Sequence, residues 1–183
     1  MQDKIDKPMI IKSCEYADSR GCLTVLSMYS EVDKDHKILN VVQINTVFSN
    51  KKGTLRGLHF QESPYSQAKL IRCYSGSIFS IGVDIRRDSI NYGNSTGVIL
   101  SKENKLSQYL PRGFAHGYLT LEDHCFIQYC VDNHFSKEHA KSIRYDDPEL
   151  KIDWHISDFI GNDELIISDK DRDAMWFREL KQV

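Results

Sequence analysis

Arg56-Gly57-Leu58-His59-Phe60-Gln61 sets a guanidinium and an imidazole three residues apart in an otherwise apolar run. Strand side chains alternate between faces. Arg56 and Leu58 are therefore expected on one face and Gly57 and His59 on the other, unless a bulge re-aims one. Gly57 lets a second backbone or a ligand approach closely. An imidazole on the inner face of a β-structure is either a hydrogen-bonded core histidine or a working base. The hexapeptide alone supports both readings.

The flanking sequence supplies the fold. Before the hexapeptide, Val41 to Val47 is β-rich and ends at the turn Ser49-Asn50-Lys51-Lys52-Gly53. Further upstream, Met9-Ile10-Ile11 starts a short strand, Asp18-Ser19-Arg20-Gly21 reads as a turn, and Leu23 to Met28 as a strand. Glu31 to Lys37 is a charged loop or short helix. Pro64 breaks the chain after the hexapeptide. Lys69 to Tyr74 then alternates, turns at Ser75-Gly76, and returns as Ser77 to Ile85. In that return strand Ile78, Ser80, Gly82 and Asp84 share one face; Phe79, Ile81, Val83 and Ile85 share the other, apolar one. Further strands are expected at Thr96–Leu100, Leu106–Leu110, Ala115–Leu121 and Cys125–Val131. Short strands separated by turns, with almost no helical periodicity before residue 136, predict an all-β barrel or sandwich. Ser136 to His139 is expected to cap a helical turn. Residues 150–183 mix Trp154, Ile166, Ile167, Trp176 and Phe177 with charges, and are expected to pack short helices against the barrel's outside. The 183 residues fit one domain, with the barrel over about 9–135 and a helical and loop segment over 136–183.

Composition excludes several classes. A net charge of −2 gives no electrostatic case for nucleic acid. No apolar run is long enough for a membrane helix, and the charged N-terminus lacks the apolar core of a secretory signal. Five cysteines without a CxxC pair fit reduced thiols, hence a cytoplasmic protein. No His-x-His pair accompanies His59, so a metal-free site is favoured over a metal bound by His59 and His116. No serine lies in a nucleophile elbow, and Cys73, Cys125 and Cys130 read as buried hydrophobes. Acid–base chemistry remains. His59 and His116 lie on separate glycine-flanked strands. Lys69 opens a strand expected near that of His59, and Tyr129 lies on one that can pair with that of His116. A barrel that turns these inward makes a pocket of His, His, Lys, Tyr and Arg.

With these residues in place, the chain resembles the dTDP-4-dehydrorhamnose 3,5-epimerase family, from about Ile10 to Asp171. The resemblance is carried by Asp18-Ser19-Arg20-Gly21, Gln43-Ile44-Asn45, Gly53 to Gln61, Ala68 to Cys73 and Val83-Asp84-Ile85-Arg86. It continues through Leu110-Pro111-Arg112-Gly113-Phe114-Ala115-His116-Gly117, Tyr129, Asp146-Asp147-Pro148 and Ser168-Asp169-Lys170-Asp171. It implies a cupin-type jelly roll acting on nucleotide-linked 4-keto sugars, as a homodimer, without metal or organic cofactor. It further implies His59 as general base, Asp171 as the carboxylate orienting it, Tyr129 as the acid across the sugar, and Lys69 as the cation near the keto oxygen. His116 matches a second pocket histidine. Arg20, Gln43, Asn45 and Arg56 match positions around the nucleotide, Arg20 reaching in from the partner subunit.

Two positions depart from the family pattern: Ser80 stands where an acidic residue is common, and Phe135 where a tyrosine is common. Phe135 keeps a ring for stacking on the substrate. Both bear on the sugar and on the balance between C3 and C5. The leading reading is a 3- and/or 5-epimerase of a nucleotide-diphospho-4-keto-6-deoxy sugar, by default dTDP-4-keto-6-deoxyglucose. A GDP-linked 4-keto-6-deoxy-heptose is an alternative substrate. A metal-dependent cupin enzyme and a non-catalytic nucleotide-sugar binding module are the alternative classes.

Overall fold

The structure is a computed structural model, and residues 6–25 and 39–180 are described. Twelve strands are assigned among them. They are β1 (Met9–Lys12), β2 (Cys14–Asp18), β3 (Gly21–Val25), β4 (Gln43–Ser49), β5 (Leu55–Gln61) and β6 (Lys69–Ser75). After these come β7 (Ser77–Asp84), β8 (Ser95–Ser101), β9 (Leu106–Leu110), β10 (Phe114–Thr120), β11 (Cys125–Val131) and β12 (Ala140–Ser142). Two short helices, α1 (Ile156–Ile160) and α2 (Asp169–Arg172), and a 3-10 turn at Phe177–Glu179 follow. One five-stranded sheet runs β1-β9-β6-β11-β4, a second runs β12-β5-β10-β7-β8, and β2 and β3 form a separate hairpin. Every pairing between these strands is antiparallel. This is the expected jelly roll.

The two sheets face one another. Ile71, Cys73, Leu110, Cys125 and Ile127 of the first pack with Ile78, Leu100, Phe114 and Tyr118 of the second. A second apolar layer lies on the far side of the second sheet. There Leu58, Phe60, Phe79, Ile81 and Val83 meet Trp154, Ile160, Phe177 and Leu180 of the C-terminal segment. The alternation in β7 therefore divides two environments. Its apolar face is buried under the C-terminal segment, and its Ser80 face looks into the barrel. Each fully buried aliphatic chain in these layers contributes about 1.5–3 kcal/mol, which makes the C-terminal segment part of the fold.

The hexapeptide departs from strict alternation. Between His59 and Arg56 there are three steps along β5, but only two between their partners His116 and Tyr118 on β10. The extra residue is a bulge, and it turns Arg56 onto the face of His59 while Leu58 joins the outer layer. Gly57 makes the bulge sterically possible. Its φ is +113°, and a Cβ there would stand 2.6 Å from both Gly117 Cα and His116 O. Gly57→Ala is expected to lose at least about 2 kcal/mol of stability, because neither the dihedral nor the backbone contact can relax cheaply. A urea midpoint equal to wild type would contradict this.

Other expectations shift at element ends. Val41 and Val42 precede β4 rather than belonging to it. Leu23 to Val25 is strand; the rest of that run, and Glu31 to Lys37, lie outside the described residues. Ser136 to His139 forms the one expected turn, closed by Ala140 N–H donating to Ser136 O, and the chain enters β12 without extending it. Strands β2 and β12 were not anticipated. β12 is three residues long and exists because β5 offers it a partner edge.

Candidate active site

His59 is anchored from outside the barrel. Its Nε2 lies 2.7 Å from Asp171 Oδ1, and the Gly57 N–H donates to Asp171 Oδ2 at 3.2 Å. Asp171 sits in α2, whose N-cap Ser168 accepts from the Asp171 N–H. Residues 112 apart in sequence are thus joined through a four-residue helix. Burial alone would raise the Asp171 carboxyl. The hydrogen bond from His59, the charge of His59 and the Gly57 N–H outweigh it and hold the group below its ordinary value. An ionised carboxylate only accepts, so His59 Nε2 carries a proton and Nδ1 is the basic nitrogen of the neutral ring.

Strand register lines the facing sheet with the other expected groups. Tyr129 pairs with Ile71 on one side and Asn45 on the other, and Val131 pairs with Lys69 and Gln43. Cross-strand partners point to the same face, so Lys69, Tyr129, Asn45 and Gln43 share the inner face of the first sheet. Lys69 is buried, and its ammonium donates to His59 O at 3.1 Å. Burial lowers it to about 8, and no carboxylate among the described residues pairs with it to offset the loss of water. Burial pushes the Tyr129 phenol up, and the Arg56 guanidinium draws it partly back. At neutral pH the phenol keeps its proton. Gln43 Nε2–H donates to Asn45 Oδ1 at 2.6 Å.

His116 stands directly across from His59. It is buried and held well below the ordinary imidazole value, first by burial and then by the nearby Lys69 and His59. Its Nε2 lies 3.0 Å from Ser80 Oγ, and the Ser80 hydroxyl donates to Gln108 Oε1 at 2.7 Å. Sequence reasoning missed Gln108. The available signal was an amide at a central position of the apolar run Leu106 to Leu110. Arg56, re-aimed by the bulge, donates from Nε to Ser49 Oγ at 3.4 Å, beside Tyr118.

Two further expected residues are exposed. Arg20 is 88% exposed at the tip of the β2–β3 hairpin and pairs with Asp18. Phe135 is exposed on the chain between β11 and β12. Among the described residues no cluster of three His, Cys, Asp or Glu side chains can hold a metal ion. No helix there is long and apolar enough to cross a membrane.

An imidazole braced by a carboxylate on one sheet, with a phenol and a buried ammonium on the facing sheet, is a set of groups able to move protons at carbon. A family model described as dTDP-4-dehydrorhamnose 3,5-epimerase matches residues 2–179. The chain belongs to this family of isomerases. The dTDP-4-dehydrorhamnose 3,5-epimerase of Methanothermobacter thermautotrophicus is 40% identical over 182 residues, covering 98% of this chain and 94% of the relative. That of Escherichia coli K12 is 34% identical over 183 residues, covering 98% and 95%. Among solved structures, the dTDP-6-deoxy-D-glucose-3,5-epimerase of Legionella pneumophila, in complex with dTDP-4-keto-L-rhamnose, superposes with a TM-score of 0.85. It is 35% identical, with 98% of this chain and 92% of that one covered. This epimerase-family chain is therefore a cupin-type jelly roll along nearly its whole length.

Proposed function

We propose that the protein epimerises a nucleotide-diphospho-4-keto-6-deoxy sugar at C3 and C5, with dTDP-4-keto-6-deoxyglucose as substrate. One observation carries this reading. His59, paired with Asp171 at 2.7 Å, and Tyr129 stand on facing sheets of one barrel. A sugar ring held between them meets a base on one face and an acid on the other.

The chemistry follows from the ketone. Carbonyl conjugation acidifies the hydrogens on C3 and C5. His59 Nδ1 takes one of them, and the C–H electron pair moves into the C4 carbonyl to give an enolate. The Lys69 ammonium stabilises the enolate oxygen. The enolate then collapses to the ketone as the Tyr129 O–H delivers a proton to the opposite face of the same carbon. Solvent resets both groups, and repetition at the second carbon completes the double inversion. Asp171 keeps the His59 ring oriented and supports its positive charge. His116 and Phe135 contact the sugar, while Arg56, Gln43 and Asn45 serve the nucleotide; a bidentate guanidinium suits a diphosphate.

The reading includes a homodimer in which Arg20 enters the partner's cavity. Its support is that Arg20 lies exposed on a hairpin outside both large sheets, while Ile44 and Phe48 of edge strand β4 are more than half exposed. Light scattering on the full chain should give twice the monomer mass; a monomer at working concentration would defeat this part.

The direct test is incubation with dTDP-4-keto-6-deoxyglucose in heavy water, read by proton NMR. Loss of both the C3 and C5 proton signals, with the dTDP-4-keto-rhamnose pattern appearing, is the expected result. No exchange at either carbon would refute the function. Tyr129→Phe should slow net inversion about 10²-fold or more while exchange is spared, because abstraction does not require the opposite acid. Equal loss of both would remove Tyr129 from that role.

A further inference from the structure

The Ser80 and Gln108 pair has a polarity that can be worked out by counting protons. Ser80 Oγ lies 2.7 Å from Gln108 Oε1 and 3.0 Å from His116 Nε2. With the Gln108 amide in this orientation, which leaves its buried Nε2–H without a partner among the described residues, Oε1 has no proton to give and the single Ser80 proton goes to it. Ser80 Oγ is then an acceptor toward His116, and His116 Nε2 must be the protonated nitrogen. All three side chains are buried, Ser80 and Gln108 completely, so water does not scramble the chain of bonds. The cations near His116 act in the same sense. Lys69 from β6 and, when it has taken up a proton, His59 from β5 put positive potential at the ring, while Asp171 behind His59 acts the other way. That potential stabilises a lone pair on the free nitrogen and opposes a second proton. Tyr129 on β11 remains neutral. His116 as a residue is 8% exposed, and its Nδ1 makes no hydrogen bond to the described residues.

We propose that Ser80 and Gln108 are positioning residues that fix His116 as the Nε2–H tautomer, so that Nδ1 accepts a hydrogen bond from a hydroxyl of the bound sugar. His116 then orients substrate and does not add positive charge beside the enolate, which leaves that task to Lys69. A carboxylate in place of Ser80 would hold the same tautomer but would favour the imidazolium, changing the ring from acceptor to donor. The hydroxyl-accepting role rests on the epimerase reading above; the tautomer does not.

The experiment is long-range proton–nitrogen NMR on the full chain with nitrogen-15 histidine, without ligand, between pH 6 and 8. His116 is assigned by the signals missing from His116→Asn. The wild type should show the neutral Nε2–H pattern throughout. Ser80→Ala should show mixed tautomers and a kcat/KM about tenfold lower. Ser80→Thr, which keeps the hydroxyl, should restore both. Ser80→Asp should shift His116 toward the imidazolium pattern. An Nδ1–H or imidazolium pattern in the wild type overturns the proposal without any variant. An unchanged tautomer in folded Ser80→Ala also overturns it, since a merely structural serine would cost stability and leave the tautomer alone. If the wild type shows the Nε2–H pattern but turns over no 4-keto sugar, the function and the hydroxyl contact fail together and the tautomer assignment stands.

Discussion

In His59→Asn, incubation in heavy water should leave C3 and C5 fully protonated, and turnover should fall about 10³-fold or more. The reason is specific to the geometry. Of the cross-strand pair His59 and His116, His59 is the one held by a carboxylate, and its paired Nε2 leaves Nδ1 as the basic atom. His116 cannot substitute, because burial first and then the nearby Lys69 hold it well below the ordinary imidazole range, and Ser80 occupies its Nε2. Asparagine keeps polar bulk and can still donate to Asp171, so Asp171 is not left as an unpaired buried charge. The variant should therefore fold. Positioned acid–base groups contribute about 10²–10⁴-fold, and losing the base removes the first step at both carbons. Wild-type exchange at either carbon in this variant would mean that another group abstracts that proton.

Lys69→Met should lower kcat about 10²–10³-fold, the usual effect of losing one oxyanion donor. Its KM should change less, because the enolate charge exists only after abstraction. The pH profile gives a second, independent reading. Burial brings the Lys69 ammonium to about 8, so wild-type kcat/KM should decline as pH rises through about 8, and this limb should be missing in Lys69→Met. The stability sign is opposite to that of a paired carboxylate. Below about 8 the lysine is charged in both folded and unfolded chains, and its burial costs about 3 kcal/mol. Between about 8 and the ordinary lysine value the unfolded chain binds more protons, so the Lys69 contribution makes the fold more stable as pH rises. An apolar side chain of similar length should thus leave the fold at least as stable at pH 7 while activity collapses. A Lys69→Met protein with wild-type turnover would show that the enolate is stabilised elsewhere. Asp171 runs the other way: its folded-state value is depressed, so its contribution is present at neutral pH and fades as pH falls through the carboxylate range.

Much of this molecule was legible in the chain. Alternation in Lys69 to Tyr74 and Ser77 to Ile85, with turns at Ser75-Gly76 and elsewhere, gave the strands, because side-chain period is a local property of the backbone. The motifs around His59, Lys69, His116 and Tyr129 gave the family resemblance and, with it, the expected chemistry. Strand β2 escaped because its mixed run Cys14 to Asp18 carries no clean alternation and is mostly exposed. Strand β12 escaped because three residues hold no period.

The sequence by itself determined which residue types are available, most of the strands that carry them, and, through the family resemblance, the class of enzyme they belong to. Tertiary structure alone decided which of them meet. A bulge at Gly57 turned Arg56 inward against the alternation, a short C-terminal helix delivered Asp171 to His59, and the packing of β9 against β7 gave Ser80 its amide partner. The physical reason is range. Periodicity and turn chemistry act over a few residues, whereas these contacts join groups from 28 to 112 positions apart. They form only once the two sheets and the C-terminal layer have closed.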